Sequence, residues 1–283
     1  MMRKPDTALI ATLILTFAAQ ADAAECPSDA AMAALAADIL SRTPAAPPAV
    51  IDMTDALCAQ DKLVALLGKE WGAPAGYKAG LTSKPAQEAF KASGPVRGVL
   101  YKDMMLSNGA SLPAKFAALP RFEADLILVV ADAAINQAKT PAEVLAHLSA
   151  IHPFIELPDL VVADPKTLTP ATITAINVGA RQGVLGKAIP VRRDEEFLAA
   201  LAAMQVVVTD ASGKELAHAP GAAVLGNPLN SVLWLRDNGV SFKAGDWVSV
   251  GSFGPLLVPQ PGQSAKVSYL GLPGDPVVSV NFE

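Results

Sequence analysis

The sequence predicts an α+β protein in which a helical N-terminal region precedes a β-rich body. Three observations carry the prediction: apolar residues at helical spacing after residues 28 and 54, a change near residue 75 to short β-type runs punctuated by Gly and Pro, and the stretch LPRFEADLILVV (119–130), whose later residues are apolar on both faces. With 283 residues, 52% of them hydrophobic and 17% charged, the chain can bury a sizeable core as one large domain or as a small one joined to a larger one.

The first 26 residues, MMRKPDTALIATLILTFAAQADAAEC, place Arg3 and Lys4 before an apolar run from Ala8 to Ala19 and then the small-residue signal Ala21-Asp22-Ala23. This is the pattern of a cleaved secretory leader over 1–23, and it predicts a periplasmic or secreted protein with no membrane association after cleavage. Glu25 immediately before Cys26 argues against a lipid-modified cysteine. Cys26 and Cys58 both survive cleavage, and export would put them where a disulfide persists. Such a bridge would contribute about 3–4 kcal/mol; the alternative is two independent buried thiols.

Beyond the leader, Ser28 is a candidate N-cap for a helix with Asp29 in its first turn and Met32, Leu35, Ile39 and Leu40 at helical spacing, ending before Pro44. Residues 44–48 (PAAPP) form a linker. Thr54 is the candidate cap of a second helix running to Gly72. The β-type runs follow: GYKAGL, GVLY, FEADLILVV, PFIELPDL, MQVVVTD, DWVSVGSF and AKVSYL. TPAEVLAHLSAIH, with Pro141 at its first position, and NSVLWLRDNG, stopped by Gly239, read as helices among them. The expected division is a helical/α+β region over 24–95 and a β body over 96–283.

The formal charge is −5, and it stays −5 after cleavage, because residues 1–23 carry two basic and two acidic side chains. The 22 Lys and Arg residues are scattered, so no nucleic-acid footprint appears. A small or metal-bridged partner fits better.

Within the run 119–130, Glu123 and Asp125 share one face of a strand, and Glu156 lies between Ile155 and Leu157 in HPFIELPD. Three acids in apolar strands point to one converging site, and an oxygen-only donor set suits a hard divalent cation such as Mg²⁺, Mn²⁺ or Ca²⁺. Separate ion pairs, for example with Arg121 or Lys78, are the alternative from spacing alone. Lys78 stands between Gly76 and Gly80, a setting for an anion-binding or acid–base lysine or for a solvated loop lysine. GSFGP lacks a phosphate-loop lysine, so nucleotide binding is not supported.

The segments DALCAQDKLV, GYKAGLTSKPAQ, RGVLYKDMM, LPRFEADLILVV, PFIELPD, INVGARQGVLG, AVLGNPLNSVLWL and FKAGDWVSVGSFGP, in that order, resemble the 2-keto-4-pentenoate hydratase and 2-oxohept-3-ene-1,7-dioate hydratase group of the fumarylacetoacetate hydrolase superfamily. The resemblance implies a mixed β-sandwich roll, a homo-oligomer, and Mg²⁺ (or Mn²⁺) held by Glu123, Asp125 and Glu156. It implies Lys78 and Asp103 as catalytic residues and Asn177 and Ser252 as substrate-binding ones. The implied activity is a hydratase-like lyase acting on a small unsaturated 2-oxo acid. Asp125 stands for the family's second Glu, Ile176 for an Asp, Val250 for a hydroxyl residue and Asn227 for a histidine. A decarboxylase of the same superfamily and a catalytically silent exported binding protein are the alternatives. The superfamily's carbon–carbon hydrolases place a His–Glu dyad ahead of the metal strand, whereas His147, His152 and His218 all follow Glu123, which counts against that reaction.

Overall fold

The computed structural model describes Met1 and residues 26–283; apart from Met1, the expected leader lies outside the described residues. In chain order the elements are α1 (Asp29–Ser41), α2 (Met53–Trp71), β1 (Pro74–Gly80), α3 (Lys84–Ala89), β2 (Val96–Tyr101), β3 (Met105–Ser107), β4 (Ala110–Leu112), β5 (Glu123–Val130), α4 (Pro141–Ala146) and β6 (Leu148–Leu157). They continue with α5 (Pro170–Ala175), β7 (Gln182–Leu185), β8 (Ile189–Pro190), α6 (Glu195–Ala203), β9 (Gln205–Asp210), β10 (Glu215–Pro220), α7 (Asn230–Asp237), β11 (Trp247–Ser249), β12 (Ser264–Leu270) and β13 (Val277–Phe282).

The helices start where side chains can satisfy their free N–H groups. Ser28 caps α1 by accepting from Ala31 N. The cap of α2 is Asp52, which accepts from the amides of Thr54 and Asp55, so this helix begins ahead of the expected Thr54 cap. Cys26 and Cys58 are bonded, with their Cα atoms 5.6 Å apart, and tie the segment before α1 to α2. Among the described residues no helix is long and apolar enough to cross a membrane.

Among the described residues the strands form two sheets. The larger runs β2-β1-β11-β5-β6-β7-β3, with β8 beside β6; the smaller runs β10-β9-β12-β13-β4. One core fills the space between the sheets and takes Ala124, Leu126, Leu128 and Val130 from β5. A second core lies under α1, α2 and α5 and takes Ile127 and Val129 from the other face of the same strand. The two apolar faces of the 119–130 run are thus both covered, and the α+β architecture is the expected one.

Two expectations are corrected. The helix beginning at Pro141 ends at Ala146, and Leu148–Leu157 is a strand paired antiparallel with β5. The ladder along the central strand outweighs the helical spacing of Val144, Leu148 and Ile151. The division at residue 95 also falls inside a sheet, because β1 is hydrogen-bonded between β2 and β11.

Candidate metal centre and cavity

The central pair β5 and β6 sets Glu123 directly opposite Glu156. From β1, next but one to β5 in the sheet, Lys78 extends its ammonium to Glu156 Oε1 and to the carbonyl of Val178 at 3.0 Å. Both members of this ion pair are buried, Lys78 at 2% and Glu156 at 1% exposure. Gly98 faces Lys78 across the β1–β2 ladder, and a Cβ at 98 would fall 2.8 Å from Lys78 Cγ. The glycine therefore makes room for the lysine stem, which the sequence reading missed. Gly76 has a similar steric cause, because a Cβ there would lie 2.0 Å from the Trp247 carbonyl oxygen on β11.

The Val178 carbonyl is aimed by a backbone turn in which Asn177 (φ 55°) and Val178 (φ 52°) are both left-handed. That conformation is disfavoured, and for a β-branched residue strongly so. The Asn177 side chain holds it by accepting from Val99 N at 2.8 Å while donating to Val99 O and to the Tyr101 hydroxyl. Asn177, expected to bind substrate, is fully buried, committed to this clamp and absent from the cavity lining.

Asp125 differs from the two glutamates. It is 0% exposed, and its Oδ1 accepts from the amides of Leu126, Val250 and Gly251 while its Oδ2 accepts from Ser249 Oγ at 2.5 Å. A carboxylate offers about four acceptor positions, so Asp125 is occupied by the wall that follows β11. Beneath this strand pair the Tyr269 hydroxyl, from the smaller sheet, accepts from Phe154 N and has the Asp125 and Phe154 carbonyls within reach of its single proton.

The electrostatics follow from burial. Loss of solvent and then the neighbouring Glu156 push Glu123 well above the ordinary carboxylate range. The same two causes raise Asp125 to about 7, against the Ser249 hydroxyl and the Leu126 N–H, which favour its ionised form. Glu156 Oε2 is buried and has no hydrogen-bond partner. With all three carboxylates ionised, the one ammonium would leave two negative charges in excess where little water reaches Asp125 and Glu156, and uncompensated charge there is expensive. A divalent cation fits this imbalance and the orphaned oxygen. Glu123 and Glu156 are the residues free to hold it. Among the described residues no three His, Cys, Asp or Glu side chains are gathered closely enough to enclose an ion, consistent with Asp125 being turned into the wall.

Lys78, Glu123, Glu156 and Ser252 meet one cavity of about 730 Å³. The Ser252 hydroxyl closes a local turn by donating to Gly254 O. Asp103 is exposed in the turn after β2, beside Gly72, and does not line the cavity, so the structure does not bring it to the expected catalytic position. Arg181 is buried against Ile39 O and Asp159 and lies over the Trp71 ring, also away from the cavity. His218, on β10, reaches the cavity rim, with Nε2 3.0 Å from Gln205 Oε1; nothing in its local sequence signalled this. His147 and His152 are bound to Asp132 and to Gly186 O.

No family model matches the chain. The chain is 32% identical over 189 residues to the 2-hydroxyhexa-2,4-dienoate hydratase of Comamonas testosteroni, covering 64% of this chain and 69% of that protein. It is 30% identical over 186 residues to the 2-keto-4-pentenoate hydratase of Burkholderia vietnamiensis, with the same two coverages. Against the 2-oxo-hept-4-ene-1,7-dioate hydratase of Escherichia coli it is 29% identical over 230 residues, covering 77% of this chain and 84% of that protein. The 4-oxalocrotonate decarboxylase of Pseudomonas putida G7, solved with magnesium and adipate, superposes with a TM-score of 0.76 at 21% identity, covering 90% of this chain and 97% of that one. The fumarylpyruvate hydrolase of Pseudomonas aeruginosa, solved with Mn²⁺ and pyruvate, gives 0.55 at 12% identity, covering 73% and 88%. By these relationships the chain belongs to the 2-keto-4-pentenoate hydratase family, and its fold is similar to that of a yeast fumarylacetoacetate hydrolase family protein.

Proposed function

We propose that the protein is a divalent-metal-dependent hydro-lyase that adds water to a small unsaturated 2-oxo acid. The observation that carries the reading is the pairing of Glu123 with the buried Glu156, whose Oε2 is orphaned, in the lining of a cavity that Lys78 also meets. A bound Mg²⁺ or Mn²⁺ would polarise the 2-oxo group and stabilise negative charge developing on its oxygen. Glu123 and Glu156 would hold the ion.

The chain's own residues supply the rest. An ammonium has three donors, and two of those on Lys78 go to Glu156 and Val178 O. The third is available to a substrate carboxylate or to a proton transfer. Ser252, at the cavity wall, can exchange its bond to Gly254 for one to the substrate. In the reaction the hydroxyl of water adds to the β carbon of the conjugated double bond and a proton to the α carbon. Asn177 contributes indirectly by fixing the turn that receives Lys78.

Decarboxylation of a related 2-oxo-dienoate is a second reading, favoured by Ile176. This apolar residue lines the cavity where the hydratases carry an acid able to handle water. Incubating the metal-loaded protein with 2-hydroxy-2,4-dienoates of five to eight carbons and with 2-oxohex-3-enedioate in ¹⁸O-water separates the two. Incorporated ¹⁸O at the β carbon is expected, carbon dioxide release would favour the second reading, and neither product would overturn both. Export belongs to the same proposal and is supported by the Cys26–Cys58 bond, which persists in oxidising compartments. Cell fractionation with N-terminal sequencing of the mature protein checks it.

A further inference from the structure

Most of the cavity's lining is hydrocarbon. Phe90, Leu160, Leu168, Ile173, Ile176 and Leu256 contribute to it, whereas the charged side chains that line it and are buried are Lys78 and Glu156. Among the described residues no arginine lines it, and the cationic side chains other than Lys78, namely Lys84 and the imidazole of His218, belong to exposed residues. A second carboxylate placed among these side chains would lose its hydration without gaining a partner.

The volume points the same way. At about 730 Å³ the space falls among cavities that bury drug-sized ligands, roughly 300–1,000 Å³. A five-carbon 2-oxo acid has eight heavy atoms and would displace on the order of 240 Å³ even if each took the room of a water. Most of the cavity would then be left as unfilled apolar space.

We infer that this site takes a 2-oxo monocarboxylic acid with an extended, uncharged hydrocarbon tail, and discriminates against both the five-carbon acid and the dicarboxylates. The inference rests on the proposed metal–lysine head site and adds the tail subsite formed by Phe90, Leu160, Leu168 and Ile173.

Calorimetric titration of the Mn²⁺-loaded full chain tests it with pyruvate, 2-oxopentanoate, 2-oxohexanoate and 2-oxooctanoate, and with 2-oxoadipate as the charged counterpart of 2-oxohexanoate. Affinity should rise about fourfold per added methylene, and 2-oxoadipate should bind at least tenfold more weakly than 2-oxohexanoate. A series in which pyruvate binds but length brings no gain, or in which 2-oxoadipate binds as well as 2-oxohexanoate, would overturn the tail subsite and leave the head site standing. No metal-dependent binding of any member would overturn both. In Leu160→Lys the ratio of 2-oxoadipate to 2-oxohexanoate affinity should rise at least tenfold, and an unchanged ratio in the folded variant would exclude Leu160 from the subsite.

Discussion

The two sheets of this molecule treat charge in opposite ways. The smaller sheet alternates buried and solvated positions, so that Lys266 on β12 is exposed between buried Ala265 and Val267. The larger sheet has a core on each side of β5 and β6, and any charge placed there loses its water. Glu123, Asp125, Glu156 and Lys78 all sit on or beside this doubly covered region. Double coverage thus makes an ion site valuable: the more the carboxylates are destabilised without a cation, the more strongly one is held.

The sharpest way to break this contrast is to remove one charge from each sheet. Lys78→Ala leaves Glu156 buried without its partner and should lower stability by about 3–5 kcal/mol in urea unfolding near pH 8. Lys266→Ala should change it by less than about 0.5 kcal/mol. Equal effects would show that the inner face is as well solvated as the outer one.

Metal binding sharpens the comparison within β5. Glu123→Gln should weaken Mn²⁺ binding at least about 100-fold, whereas Asp125→Asn, which keeps an oxygen for the three backbone amides, should change it by less than about fivefold. If Asp125→Asn loses the ion as completely as Glu123→Gln, the wall residue is a ligand after all.

The pH dependence of the metal-free protein follows from the same burial. The folded-state pKa values of Glu123 and Asp125 lie above their unfolded values, with Asp125 at about 7. The stability associated with their neutral forms is therefore complete below about pH 4 and is lost as pH rises through the folded values. In chelator the unfolding midpoint should fall between pH 5.5 and 8, by the equivalent of about 2–4 kcal/mol, and saturating Mg²⁺ should restore most of it. A midpoint insensitive to pH over that window would remove the electrostatic argument for the site. The smallest effect is steric: Gly98→Ala should displace the Lys78 stem at about 1–2 kcal/mol and reduce turnover, without touching the carboxylates.

The parts legible in the sequence are those written in local patterns. Ser28 at a helix start and the two-faced run before Val130 depend on neighbours along the chain, and the structure has both. The end of the Pro141 helix is not legible in this way, because Val144, Leu148 and Ile151 suit a helix as well as a strand, and only the ladder with β5 decides between them. Lys78 between its glycines reads equally as a solvated loop lysine, but the convergence of Glu123 and Glu156 was legible, since acids are costly in apolar runs wherever the chain ends up. Their separation from Asp125 was not. Whether an acid faces a cavity or caps the amides of Val250 and Gly251 depends on contacts across more than 120 residues. Asn177 was obscure for a similar reason, because its work is done on Val99.

Gln60 gives the N-terminal staple a longer reach than its position suggests. From α2 its amide donates both to Arg97 O, at the start of β2, and to Thr174 O, in α5, the two elements that flank the Asn177 turn. The helix bonded through Cys58 is therefore a strut under the lysine seat. In hydrogen exchange, reduction of Cys26–Cys58 should first speed the amides of α1 and then those of Val99 and Gly179, so that the thiol state of the surroundings sets how often the reactive end of the cavity loosens.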